Sequence, residues 1–367
     1  VDSIDPAKKT VQGKTLKGEA FELAYDKLLI STGASPIMPD LPGFDLPGVM
    51  ALKTLEDGRR IKQFIHDQNV RKAIIIGMGY IALEMCEALH ERNIEVHMVK
   101  PRPVFLPRMH EKLADMVKDE LESNGINVHL GHEVERIEKK EGIIQAVCSD
   151  LTLEGQMVLV AIGIVPNSQL AETAGLELGP DNAIAVDRGL LTSDPHIYAA
   201  GDCADAFHVV TGERTWIPLA LRANRAGWAV ADNVTGKKAE LQGVAGTAAF
   251  KVLGVEVAST GLGVEEAENF GFEPAQIMIQ SATRAHRYPG ASKLGVQMVA
   301  DKRSGRLLGA QLVGREGAAH RINAAAVALH ARLGVEEFSQ SDLAYAPPFG
   351  PTWDPLLTAA NQLLKAM

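Results

Sequence analysis

The sequence predicts an α/β protein with two Rossmann-like nucleotide-binding units, the first incomplete at its N-terminus, followed by a C-terminal α+β domain. Three observations carry that expectation. They are a glycine-spaced turn between two apolar runs at 72–100, an internal repeat at 28–36 and 158–166, and a change of texture after Gly246.

From Lys72 the chain reads KAIII, then GMGYIALE, then a segment of helical period, then IEVHMVK. This is the strand–turn–helix–strand order in which G-x-G-x-x-G/A becomes a dinucleotide fingerprint. Gly77 permits the tight turn, Gly79 lets backbone approach a pyrophosphate, and Ala82 takes the third small position, where helix packs on strand. The amides of Tyr80 and Ile81 open the helix and are expected to hold phosphate through hydrogen bonds and the helix dipole.

The repeat aligns LLISTGASP with VLVAIGIVP without a gap, an apolar run with Gly at the sixth place and Pro at the ninth. Each copy reads as a strand that ends in a sharp glycine turn, at Thr32-Gly33 and at Ile162-Gly163, where backbone comes close to a ligand. Gly77 precedes Gly163 by about 86 residues, and the same spacing counted back from Gly33 falls well before Val1. Residues 1–50 are therefore expected to be the tail of a first nucleotide-binding domain whose opening strand, glycine turn and helix precede this sequence.

After the second copy, LTSDPHIYAAGDCAD ends a short strand at Gly201-Asp202, and WIPLALRANRAGWAVADNVTG gives a helix from about Leu219 with small residues along one face. Beyond Gly246 come alternating runs of an antiparallel sheet with a turn at Ser304-Gly305, then helices at 318–333 and 354–364. The proline-rich stretch YAPPFGPTWDP between them cannot be regular helix or central strand and is expected to be a shaped loop.

The 367 residues suffice for two or three domains. A net charge of −9 without any Lys/Arg block argues against nucleic acid or an anionic membrane as partner and leaves small ligands. No apolar run reaches the roughly 18 residues of a membrane span. Cys86, Cys148 and Cys203 show neither C-x-x-C nor metal spacing, which points to a reducing cytoplasm and to no metal site.

Taken in order, STGASP, GMGYIALE, AIGIVPN, TSDPHIYAAGDCAD, WIPLALRANRAG, GTAAFKV, RYPGA and LAYAPPF resemble the flavin-dependent pyridine nucleotide-disulfide oxidoreductases. Within them the chain is most similar to the branch of coenzyme A disulfide reductases, NADH oxidases, NADH peroxidases and polysulfide reductases. The resemblance implies an FAD-binding domain at 1–50 and 175–240, an NAD(P)-binding domain at 51–174, and a dimerisation domain at 241–367 that forms a homodimer. It implies FAD contacts at Thr32, Gly33, Gly201, Asp202, Pro218, Leu219 and Ala220, with Asp202 on the ribityl chain and the helix after Pro218 facing the isoalloxazine. On the nicotinamide side it implies Gly77, Gly79, Tyr80, Ile81, Glu84, Ile162 and Gly163, with Tyr80 covering the flavin and Glu84 contacting the nicotinamide amide. Tyr345 resembles a tyrosine that reaches from the partner subunit toward the redox cysteine in the coenzyme A disulfide reductases, and Tyr288 is the second candidate catalytic residue. A buried interface tyrosine is the other reading of Tyr345.

The resemblance also shows departures. The family's FAD fingerprint and redox cysteine are absent from this sequence, and none of the three cysteines matches that position. Where the branch often has two tyrosines before Pro-Gly, this chain has Arg287-Tyr288. Lys100 takes the place where an NAD-binding unit usually carries a carboxylate for the ribose hydroxyls. With Arg102 it can pair with a 2′-phosphate, which favours NADPH or use of both nucleotides over NADH alone; a solvated surface lysine is the alternative. The expected activity is hydride transfer from NADPH or NADH to FAD and on to a disulfide, persulfide or polysulfide, coenzyme A disulfide among them. The alternatives are an NADH oxidase or peroxidase acting on O2 or H2O2, and a non-catalytic, dimerising nucleotide-binding fragment.

Overall fold

The structure, a computed structural model, describes residues 1–367 and separates into two compact units: 1–35 with 164–246, and 36–163 with 247–367.

The first unit opens with an antiparallel meander of Ser3–Asp5, Thr10–Lys14 and Ala20–Ala24. Leu28–Ile30 then pairs in parallel with Ile197–Ala199. Helix Ala220–Val234 packs Ala226, Ala229 and Val230 into an apolar cluster with Ile30, Ile184, Ile197, Ala199 and Cys203. The small side chains expected on one helix face are what let this helix approach the strands so closely.

The second unit holds a five-stranded parallel sheet in the order Val49–Ala51, Met157–Val160, Lys72–Ile76, Glu95–Lys100, Asn127–Leu130. Its central strands are apolar on both faces, as a sheet covered from both sides requires. Helices Leu55–Asp67, Tyr80–His90 and Glu111–Ser123 belong to this layer. The first of them begins in a capping box, in which Thr54 and Asp57 satisfy each other's backbone amides. A second sheet is antiparallel, in the order Ala248–Val252, Val255–Gly261, Leu307–Gly314, Lys293–Asp301, Pro274–Ala282. Helices Ala318–His330 and Pro355–Ala366 follow it, and 341–354 between them form neither helix nor strand.

Two features depart from the expected layout. Residues 36–50, expected with the first domain, pack in the second unit: Phe44 is buried with Ile137, Ile144 and Val158, and Ile137 N donates to Pro42 O at 2.8 Å. The parallel layer and the antiparallel sheet, expected as separate domains, share one apolar core, in which Val252, Val255, Val257 and Val313 join Leu83, Cys86, Leu113 and Val117. Two carboxylates fasten that seam. Glu87 accepts from Lys251 Nζ at 2.5 Å and from Leu253 N at 2.7 Å, and Glu120 accepts from Gly254 N at 3.0 Å and from Arg315 Nη2 at 2.8 Å.

Candidate functional site

In the second unit, strand Lys72–Ile76 ends at Gly77, whose φ is +112°. A Cβ there would lie 2.2 Å from Ala161 O, so only glycine fits beside the neighbouring strand end. Gly77 N donates to Val99 O at 2.9 Å, which seats the turn across the carboxyl ends of three strands. Gly79 follows as the N-cap of helix Tyr80–His90, with no side chain capping it and nothing within 4 Å of where its Cβ would stand. An uncapped helix start with open space above it offers backbone N–H groups and the positive end of a dipole to an anion.

Ile162 and Gly163 lie beside this turn: Ile162 N is 3.3 Å from the Cβ position of Gly77, and Gly163, at φ +132°, accepts from Ile37 N at 3.0 Å. Ala82 and Leu83 bury the helix against the sheet, while Tyr80 and Glu84, one turn apart, are exposed on its other side. The Tyr80 ring lies 6.5 Å from that of Phe250. Burial, reinforced by Glu87, pushes the Glu84 carboxyl above the usual carboxylate range. Ile81 is half-buried behind them.

Lys100 ends the strand Glu95–Lys100, and its Nζ donates to Val104 O at 3.0 Å. Burial first and the neighbouring Arg102 second lower its pKa. Arg102 itself is exposed, so both cations sit at the tip of the strand that follows the fingerprint helix.

In the first unit, Gly33 holds φ +72° with nothing within 4 Å of its Cβ position, and Thr32 is exposed beside it. Asn167 fixes this turn: its N–H donates to Gly33 O at 2.9 Å, its Nδ2 to Thr32 O at 2.9 Å, and its Oδ1 accepts from Ser35 Oγ at 2.8 Å. The turn at Gly201, φ +86°, is held by Arg222, whose Nη1 donates to Gly201 O at 2.9 Å and whose Nη2 donates to Asp205 O. Asp202 is half-buried, and its carbonyl accepts from Trp216 Nε1 at 2.8 Å. Helix Ala220–Val234 starts after Pro218 without a side-chain cap. The Leu219 N–H, expected to face a ligand, instead donates to Ile217 O at 3.0 Å, so the amides presented by the helix begin at Ala220.

Arg222 and Asn167 were not singled out in the sequence, although both lie in the motifs quoted above. The available signal was an arginine on the otherwise small face of WIPLALRANRAG and a side-chain amide closing AIGIVPN. Arg222 is buried, and so is Asp205, whose carboxylate accepts from Val186 N at 3.0 Å and Arg214 Nη1 at 2.7 Å. Buried charges persist only when compensated: Asp205 is paired with Arg214, and Arg222 is hydrogen-bonded to two carbonyls beside it.

The three thiols are free and buried. Burial, aided by Glu87, pushes the Cys86 thiol up to about 12, and burial also raises that of Cys148. Cys203 points its Sγ at Ala200 O, 3.3 Å away. A thiol held neutral is a poor nucleophile, so Cys86 and Cys148 act as small packed side chains. Tyr288 and Tyr345 are both exposed, and their loops meet where Ala285 N donates to Pro347 O at 3.0 Å. No helix is long and apolar enough to cross a membrane.

Residues 1–227 match the family described as pyridine nucleotide-disulphide oxidoreductase, and residues 247–355 match the dimerisation domain of the same family. The chain is 36% identical to a CoA-dependent NAD(P)H sulfur oxidoreductase of Pyrococcus furiosus, over 94% of this chain and 78% of that one. It is 34% identical to an NADH oxidase of Methanocaldococcus jannaschii, over 100% and 82%. Among solved structures, an NAD-dependent persulfide reductase from A. fulgidus superimposes with a TM-score of 0.94 at 36% identity, covering 99% of this chain and 68% of that one. The chain therefore belongs to the pyridine nucleotide-disulphide oxidoreductases, a family of enzymes that implies FAD and NAD(P)H as cofactors.

Proposed function

We propose that the protein is a flavoprotein that carries two electrons from NAD(P)H to a sulfur–sulfur bond, in a disulfide, persulfide or polysulfide such as coenzyme A disulfide. The observation that carries the reading is the open, uncapped start of the fingerprint helix with Tyr80 and Glu84 on its exposed side, a cradle for the nucleotide that delivers the hydride. The name of the relative from Pyrococcus furiosus supports the sulfur substrate and coenzyme A.

In this reading Gly77, Gly79 and the amides of Tyr80 and Ile81 bind the pyrophosphate, and Ile162 and Gly163 shape the floor beside it. Tyr80 covers the face at which the nicotinamide reacts and swings aside for it. Glu84 holds the carboxamide by accepting from its NH2 group. Lys100 and Arg102 pair with a 2′-phosphate, which favours NADPH.

FAD, when bound, supplies the relay that accepts a hydride and hands on an electron pair. Thr32 and Gly33 let the backbone approach it, Gly201 shapes the turn from which Asp202 accepts from its ribityl hydroxyl, and the helix after Pro218 and Leu219, starting at Ala220, turns its positive end toward negative charge on the ring. Tyr345 and Tyr288 serve the sulfur substrate, and Tyr345 steadies the thiolate that leaves when the sulfur–sulfur bond opens. The redox cysteine of this chemistry is none of Cys86, Cys148 and Cys203. A homodimer in a reducing cytoplasm completes the proposal; the dimerisation-domain match and the exposed rings of Tyr345, Phe349 and Trp353 in one loop support the dimer.

The test is an anaerobic visible spectrum of the purified protein titrated with NADPH and, separately, NADH, followed by coenzyme A disulfide or by O2. Bleaching at one equivalent of NADPH and recovery with the disulfide is the expected result. Recovery with O2 alone would favour the oxidase reading, which the NADH oxidase relative supports. A colourless protein would sink both readings.

A further inference from the structure

The loops that carry Tyr288 and Tyr345 have no strand or helix to hold them, at 283–292 and 341–354. Their shape must come from side chains that satisfy their carbonyls. One side chain serves both loops. Arg321, in the first turn of helix Ala318–His330, is 12% exposed, and its Nε donates to Asp354 Oδ2 at 2.9 Å. Its Nη2 donates to Thr283 O at 3.2 Å and to Phe349 O at 2.5 Å, and its Nη1 donates to Gly317 O at 3.4 Å.

The surroundings are shaped to this guanidinium. A Cβ at Gly317 would stand 2.0 Å from Nη1, and one at Gly350 would stand 3.1 Å from Nη2. Asp354 divides its oxygens, Oδ2 to Arg321 and Oδ1 to the Leu356 amide that opens the last helix, 2.9 Å away. On the other side of the Tyr288 loop, Arg284 grips Glu316 at 2.6 and 2.8 Å and donates to Pro289 O at 2.9 Å. An arginine needed only to pair with a helix cap has no reason to reach Thr283 O and Phe349 O as well. Those two bonds tie the start of one loop to the middle of the other, and a planar fork with fixed donors makes them in one geometry only.

We propose that Arg321 is a positioning residue for the sulfur-substrate half of the reaction: it locks the two loops in register so that Tyr345 and Tyr288 meet the substrate as a pair. The inference rests on the role of Tyr345 given under Proposed function. Arg321 touches no substrate and acts through the loops.

The experiment uses the FAD-loaded protein with Arg321→Lys, Tyr345→Phe and the double variant. Each is measured for the rate of flavin reduction by NADPH, for kcat and KM with coenzyme A disulfide, and for its melting temperature. Lysine keeps the charge and can replace one of the four bonds. For Arg321→Lys the expected result is flavin reduction within twofold of the unsubstituted protein and kcat/KM for the disulfide down about tenfold. The double variant is expected to be no worse than Tyr345→Phe, because a positioned group that is already gone cannot be lost again.

Unchanged disulfide kinetics in Arg321→Lys alone, beside a damaged Tyr345→Phe, would overturn the inference and leave the reading of Tyr345 standing. Losses that multiply in the double variant would also overturn it, since Arg321 would then act independently of the tyrosine. Unchanged kinetics in Tyr345→Phe would remove that reading and the inference together. Should Arg321→Lys fail to fold, Asp354→Asn, which keeps the helix cap and weakens one bond to Arg321, is expected to show the same split at about threefold; equal kinetics there would overturn the proposal.

Discussion

Gly33 and Gly77 both end an apolar strand and both hold a positive φ, +72° and +112°, yet they are glycine for different reasons. At Gly77 the protein itself fills the space, since a Cβ would stand 2.2 Å from Ala161 O. At Gly33 nothing lies within 4 Å. One glycine is demanded by the packing of strand ends; the other keeps a surface clear. The regions around them differ in the same way: the glycine turn of the second unit rests on backbone and an apolar core, while the turn at Gly201 in the first rests on Arg222 beside buried Asp205.

The largest effect that would test this contrast is expected from Gly77→Ala. The clash with Ala161 O and the unfavourable φ together cost on the order of 4 kcal/mol, read as a drop in the urea midpoint along with loss of NADPH binding. A variant that melts normally would show that the turn is softer than its packing implies. Next comes Arg222→Met in the first unit. It leaves Asp205 short of a neighbouring charge and its carbonyl without a donor, while Gly201 O keeps only the Ala204 N–H, and about 3 kcal/mol of stability should be lost, with FAD released more readily. A neutral outcome would mean that Arg214 alone compensates Asp205.

Lys100→Glu is expected to leave stability unchanged and to shift the ratio of kcat/KM for NADPH over NADH about tenfold toward NADH, roughly 1–2 kcal/mol. The lowered pKa of Lys100 sets a sign as well. Its charge is present below that pKa and is lost as pH rises through it, so preference for NADPH should fade at a lower alkaline pH than an ordinary lysine would allow. A ratio indifferent to both the substitution and pH would make Lys100 a solvated surface residue. Of the two glycine substitutions the milder is Gly33→Ala, about 1 kcal/mol for a left-handed alanine with free space around it, with FAD retention falling far more than the melting temperature. Equal losses of stability at Gly33 and Gly77 would erase the distinction drawn between them.

Much of this architecture was legible because it is written in local patterns. The strand–turn–helix–strand at 72–100, the helix beginning after Leu219 and the antiparallel sheet beyond Gly246 all declare themselves by periodicity and by glycine or proline at their ends. The spacing of the repeat also marked both turns that carry positive φ. What stayed hidden was choice of partner. Periodicity shows that Phe44 or Val313 has an apolar face to bury but does not say against what, so the placement of 36–50 and the shared core of the two sheets were missed. The Arg222 network was missed for a related reason: its bonds run to the first and last carbonyls of the GDCAD turn, and no helical pattern reports a charge that turns inward. The direction of the Leu219 amide depends on a single tight turn at Ile217, below the resolution of any sequence pattern.

The seam between the parallel layer and the antiparallel sheet limits how the protein can be re-engineered. A graft that exchanged everything after Gly246 for the corresponding part of a relative would remove Val252, Val257 and Val313 from behind the fingerprint helix and strip Glu87 and Glu120 of their basic partners. The C-terminal sheet is therefore not an interchangeable module: it must travel with the back of the parallel layer.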